Sequence, residues 1–374
     1  MNIHLEELAY ARAYAKATAF QSLSKDQVKS ILDKGRFFHR WFRAHRLLHG
    51  AISATVLTFI LAADLTVLFQ LPRFFLDSTR PNPFVTVLIA SLVVGSLHSW
   101  LLYSLVVYSL HEGAAHKLIF PSQGIVSRAL HFLSSNLCRL ASADPIYYAQ
   151  NHMAHHAEFG TEHDGEFLSF VLRRRYWMTF FPFAMFLNYS DFVVHRPLSY
   201  TPSKVVSMLT AIAYNTLLGH FMARSFGLLF TLLTLVLVLP HFGFYVDRLR
   251  QFTEHNLMPL NNKDGARSFG TGFWGLLIGG GPWGQPCHLI HHLVPSIPWY
   301  QQLLLHRHFI NLLTPTQRQQ YLLEPVIGYP RLVWRLWREP HAFARRLEST
   351  PVTGAPILTR AKSGDQSVDR ALRL

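Results

Sequence analysis

Residues 84–116 read FVTVLIASLVVGSLHSWLLYSLVVYSLHEGAAH. The first 27, Phe84–Leu110, carry no Asp, Glu, Lys or Arg. About 20 apolar residues cross a hydrocarbon core of about 30 Å as a helix, so this run spans with tilt or projects beyond the core. His98 inside it reads as a packed polar residue. At the end of the run stand His111 and His116, two metal-binding side chains held at a membrane edge.

Three more runs match it. Ala51–Leu71 contains one charge, Asp64, which is tolerable if it faces protein or water. Val205–Met222 and Gly227–Val246 are separated by a few residues around Arg224 and read as a tight hairpin. Tyr176–Val194 is aromatic and apolar but interrupted by Pro182, Asn188 and Asp191, which suits an in-plane segment. The expected fold is an all-α integral membrane protein, with about four transmembrane helices in two hairpins and a cytosolic, histidine-rich helical cap.

Composition agrees. Half of the 374 residues are hydrophobic and 15% are charged, against about a quarter charged in soluble domains. The net charge of +14 comes from 35 Lys and Arg against 21 Asp and Glu. No nucleic-acid motif accompanies it, so basic loops facing anionic headgroups are the better reading. Four spans put the N-terminus, residues 111–204 and residues 247–374 on one side, where nearly all Lys and Arg fall; the positive-inside bias makes that side cytoplasmic. Cys138 and Cys287 make no disulfide framework, and the N-terminus lacks a signal-peptide core. Residues 1–46 form a basic amphipathic region and 47–346 the membrane domain, with Trp334 and Trp337 suiting an interfacial helix; 347–374 read as a loose tail.

Of 22 histidines, nine are patterned. HEGAAH holds His111 and His116, which a regular helix would set about 140° apart; Gly113 helps the helix end loosen so that both rings turn to one site. HMAHH holds His152, His155 and His156, and HLIHH holds His288, His291 and His292. Spacing of i, i+3, i+4 puts three imidazoles on one helical face. His255, just after the last apolar run, is the ninth. Nine imidazoles exceed the needs of one ion and suit two metals with open positions, with redox-active iron the best match. Competing readings are a histidine-lined proton or metal path and a haem protein. Haem uses only one or two axial histidines, and a transporter places its polar residues mid-membrane.

HEGAAH, HMAHH and HLIHHLVPSIPWY resemble the three histidine boxes of the membrane fatty-acid desaturase superfamily, over about residues 84–310. The TEHN stretch resembles the Glu-His pair that many bacterial members carry upstream of the third box. The resemblance implies four transmembrane helices, a cytosolic cap, two non-haem irons above an acyl channel, O2 as co-substrate and a place in the bacterial cytoplasmic membrane. His111, His116, His152, His155, His156, His255, His288, His291 and His292 become the implied ligands. Asp164 and Glu166 are implied to orient ligand rings by accepting their N–H bonds. Glu254 belongs to the Glu-His pair, and Gln251 stands where some members have a water-binding Asn. The HxxxxH box with Glu112 departs from the common HDxxH, and no HPGG haem motif is present, so electrons are implied to come from a separate donor such as a ferredoxin or flavodoxin with its reductase. Fatty-acyl desaturation is the leading expectation. Hydroxylation and terminal-alkene-forming decarboxylation are rivals on the same scaffold, and a histidine-rich metal or haem carrier is the non-enzymatic one.

Overall fold

The computed structural model describes residues 20–76, 83–121, 124–161, 164, 201–256, 258–261, 263–283, 286–323, 327–335 and 338. The Tyr176–Val194 segment, Glu166, Trp337 and the 347–374 tail lie outside them. The described chain is mostly helical, with no strand among those residues and one isolated bridge between Ser268 and Leu322.

Helix α1 (Lys25–Ala44) starts at a capping box. Ser24 Oγ accepts the Gln27 N–H, and Gln27 Oε1 accepts the Ser24 N–H. Its buried side, Ile31 and Gly35, packs on the chain after the third histidine box: a Cβ at position 35 would sit 2.8 Å from the Val294 methyls. Its basic residues Lys29, Arg36, Arg40 and Arg43 are exposed.

Among the described residues, three helical stretches are long and apolar enough to cross a membrane. The first is α2 (Arg46–Phe69), prolonged by a turn at Pro72–Phe75. The second is α3 (Phe84–Val107), which continues through a π-helical turn at Tyr108–Ala115. After α4 (Ile125–Asn136) and α5 (Pro145–Glu158) comes the third, α6 (Pro202–Phe226). Large side chains such as Phe59, Leu65, Val85 and Leu209 stay exposed along these helices, a belt that lipid would cover. Asp64 in α2 meets His98 Nδ1 in α3 at 2.6 Å, and both are buried, so the one charge of the first span faces protein.

The stretch expected as a fourth span is built differently. It consists of α7 (Leu228–Leu232), a π turn at Leu233–Val238 and α8 (Leu239–His255). Its apolar part, Leu228–Val238, is shorter than a bilayer crossing, and Pro240 withholds a backbone donor in the first turn of α8. Gly95 lets α3 approach this stretch, since a Cβ there would lie 2.8 Å from Val238.

One polar edge of α3 holds the approach to the third box. Helix α9 (Phe273–Gly279) ends with unpaired carbonyls, and α3 satisfies them. Trp100 Nε1 donates to the Leu277 oxygen at 2.8 Å, Tyr103 Oη to Ile278 at 3.0 Å, and Ser104 Oγ to Gly280 at 2.7 Å. Gly280 and Gly281 then adopt φ of +74° and +94°, left-handed values that favour glycine. The chain turns there into α10 (His288–Leu293), α11 (Trp299–Leu312) and α12 (Pro315–Tyr321). Ile31, Leu289, Ile290, Phe309 and Tyr321 form the core that locks α1 against α10–α12.

Candidate metal centre

The first box turns both its rings inward because its helix is not α-helical. In the π turn the His116 N–H donates to the His111 oxygen at 3.1 Å, an i→i+5 bond, which brings residues five apart onto one side. The two ring centroids are 4.8 Å apart. Gly113 fits here because a Cβ would press to 2.8 Å on Ser135 Oγ of α4.

Eight histidines fall into two groups whose ligand atoms lie within 4.8 Å of one another, each able to hold a metal ion. His111, His116, His152 and His291 form one group; His155, His255, His288 and His292 form the other. The ninth, His156, joins the first: its Nε2 lies 2.7 Å from His291 Nε2 and 3.1 Å from His152 Nε2. It also bridges toward the second, with its ring 4.8 Å from that of His292.

The donor set fits a cation. Nε2 atoms face each other at 3.0 Å between His111 and His291, 3.1 Å between His116 and His152, 2.9 Å between His255 and His288, and 3.1 Å between His288 and His292. At most one nitrogen of each facing pair can carry a proton, so at least one of each pair offers a lone pair. Burial, reinforced by His152, pushes His116 down to about 3. Burial and neighbouring imidazoles likewise hold His288, His291 and His292 well below the usual histidine range. These four rings are therefore held in the neutral form, the one that ligates metals.

Outer partners orient some of these rings. The His155 Nδ1–H donates to Asp164 Oδ1 at 2.7 Å, which turns Nε2 toward the centre. Asp164 is itself fixed by the Gly160 N–H at 3.0 Å. His255 Nδ1 lies 3.0 Å from the Gly265 carbonyl oxygen, again an acceptor. Glu254 Oε2 lies 3.6 Å from His288 Nε2 and accepts from Arg250 Nη1 at 2.9 Å. The Gln251 side-chain amide donates to Asp247 Oδ2 at 3.0 Å.

Several residues here escape sequence reasoning. Glu112 is buried, accepts the Trp299 N–H at 3.2 Å and places Oε1 3.4 Å from His111 Nδ1. Arg250 joins Glu254 to Asp247; the i, i+4 spacing of Arg250 and Glu254 was the available signal. Tyr148 stacks on the His152 ring at 5.2 Å.

Beside the histidines lies a cavity of about 600 Å³. Leu102, Val106, Leu110, Leu235 and Leu239 make its walls apolar, and Tyr148, Asp247, Arg250 and Gln251 give it a polar end. Of its lining residues, Tyr148 stacks on His152 of the first group, and Arg250 holds Glu254, which lies 3.6 Å from His288 of the second. Comparison with protein-family models, curated proteins and solved structures finds no match.

Proposed function

We propose that this chain is an O2-dependent, di-iron membrane oxidoreductase of the fatty-acid desaturase type. The observation that carries the reading is the pairing of two buried histidine groups, at the ends of apolar helices, with an apolar cavity of about 600 Å³. Bound there, two irons would supply O2 activation and removal of hydrogen from an unactivated C–H bond. His111, His116, His152, His156 and His291 would hold one ion, and His155, His255, His288 and His292 the other.

The polypeptide supplies the rest. Burial of an acyl chain contributes about 0.8 kcal/mol per CH2, and the cavity walls determine which carbon lies nearest the histidines. Packing around the groups excludes water, with His155 and His291 fully buried. The balance is –CH2–CH2– + O2 + 2 e⁻ + 2 H⁺ → –CH=CH– + 2 H2O, so two electrons must enter from an external donor, of the ferredoxin or flavodoxin kind. The basic loops support a cytoplasmic position for the histidine face. A metal carrier needs exchangeable, accessible ligands, and the burial of these histidines argues against it.

The test is incubation of the reconstituted, iron-loaded protein with defined fatty acids and acyl thioesters, followed by mass spectrometry. Loss of two hydrogens is the expected product. Gain of one oxygen would make it a hydroxylase, loss of one carbon a decarboxylase, and no O2-dependent product would refute the oxidoreductase reading.

A further inference from the structure

The centre just described is buried, so reducing equivalents need a route to it and a place where the donor lands. A file of rings runs inward from the surface to Trp299, and the Glu112 carboxylate links its end to His111. His45, exposed at the junction of α1 and α2, stacks on Trp41 with centroids 4.4 Å apart. Trp41 contacts His49 at 5.5 Å, edge to face. His49 stacks on Tyr300 at 5.4 Å and 17°, and its Nε2 lies 3.3 Å from the Tyr300 oxygen. Tyr300 adjoins Trp299, whose backbone N–H donates to Glu112 beside His111.

We propose that this file is the electron-entry route to the first histidine group, and that its surface end is the docking site of a small acidic electron-carrier protein. The inference rests on the oxidoreductase reading, which requires two external electrons. Electronic coupling falls steeply across gaps, so rings in contact make a better path than aliphatic packing. His49 is 2% exposed although it binds in neither group and lies at the top of a membrane-facing helix; a place in this file accounts for it. The landing point is cationic, since Arg40 and Arg43 are exposed on α1 within two residues of Trp41, while Arg36, a turn earlier, pairs with Asp33. Complementary charge steers such encounters and sets their salt dependence. Each encounter oxidises a one-electron iron–sulfur or flavin carrier by one electron and reduces the centre by one; two encounters meet the balance, and the rings are unchanged at the end.

The experiment uses the full chain, iron-loaded, in nanodiscs of neutral lipid, with a purified acidic ferredoxin as donor and dithionite as a diffusible reductant. Reduction is followed by stopped-flow absorbance and donor affinity by titration. Arg40→Gln with Arg43→Gln should weaken donor binding about tenfold and flatten its salt dependence, with dithionite reduction unchanged. Tyr300→Leu should slow reduction by saturating ferredoxin about tenfold or more, Tyr300→Phe should retain most of the rate, and both should keep their iron. A wild-type rate in Tyr300→Leu would overturn the route. Unchanged ferredoxin affinity in the arginine variant, with lost binding to anionic vesicles instead, would overturn the docking site and make the patch a headgroup contact. A wild-type chain that binds no iron would overturn the oxidoreductase reading and the route with it, whereas the other outcomes leave that reading standing.

Discussion

In α5 the pair His152 and His156 faces the first metal group while His155 turns to the second; in α10 the pair His288 and His292 faces the second while His291 crosses to the first. Both helices carry the same HxxHH spacing. Residues four apart diverge by about 40° and the residue between them by about 60° the other way, so one helix lying between two sites serves both. Two such helices exchange single ligands, and neither site can be assembled from one alone. Asp164 and the Gly265 carbonyl orient rings of the second group; in the first, the π turn places His111 and His116, and Glu112 makes a longer contact to His111.

The largest effect should come from breaking the exchange. His291→Ala removes the crossing ligand, and turnover should become undetectable while the first ion is lost and membrane insertion persists, as read by metal analysis of the membrane-extracted protein. Near-normal activity would contradict the ligand assignment.

The anchors come next. Asp164→Asn should weaken the second ion by about 10–100-fold in a chelator competition. Glu112→Gln should weaken the first by only a few-fold, because its 3.4 Å contact is longer. Equal effects would mean that both groups are oriented alike.

A third test separates the centre from the membrane frame. His98→Ala leaves Asp64 buried without its 2.6 Å partner and should cost about 3 kcal/mol of stability, seen as a lower thermal midpoint. The iron content of the folded fraction should not change.

The smallest effect concerns pH. Burial pushes His306, away from both groups, down to about 4. Its unfolded value is about 6.5, so the unfolded chain binds the extra proton first. The stabilisation is therefore complete above about pH 6.5 and is lost as pH falls from there through 4. His306→Gln should blunt that acid sensitivity in denaturation curves of the metal-free protein.

The nine histidines and the apolar helices are legible in the sequence because both signals are local: spacing within a turn, and hydropathy within a run. Gly113 pointed to a loosened first box, and the π turn is the form that loosening takes. Division of the ligands into two groups is not legible, because the direction of His155 and His291 depends on where α5 and α10 lie relative to each other. Nor is the partner of Asp64, which lies 34 residues away on a neighbouring helix. The fourth apolar run reads as a span by composition; its helix runs on through a π turn from Leu228 to His255, and the stretch of it that is apolar among the described residues is Leu228–Val238. Arg250 looks like any basic loop residue until its helix carries it beside Glu254 and the cavity.

The proposed site is a pair of irons held by two interlocked histidine groups. Quantitative metal analysis of the purified full chain, read together with its absorption spectrum, tests it most directly. Close to two irons per chain, no haem band, and a fall toward one iron in His291→Ala are expected. A haem spectrum, or a wild-type chain with a single metal ion or none, would contradict it.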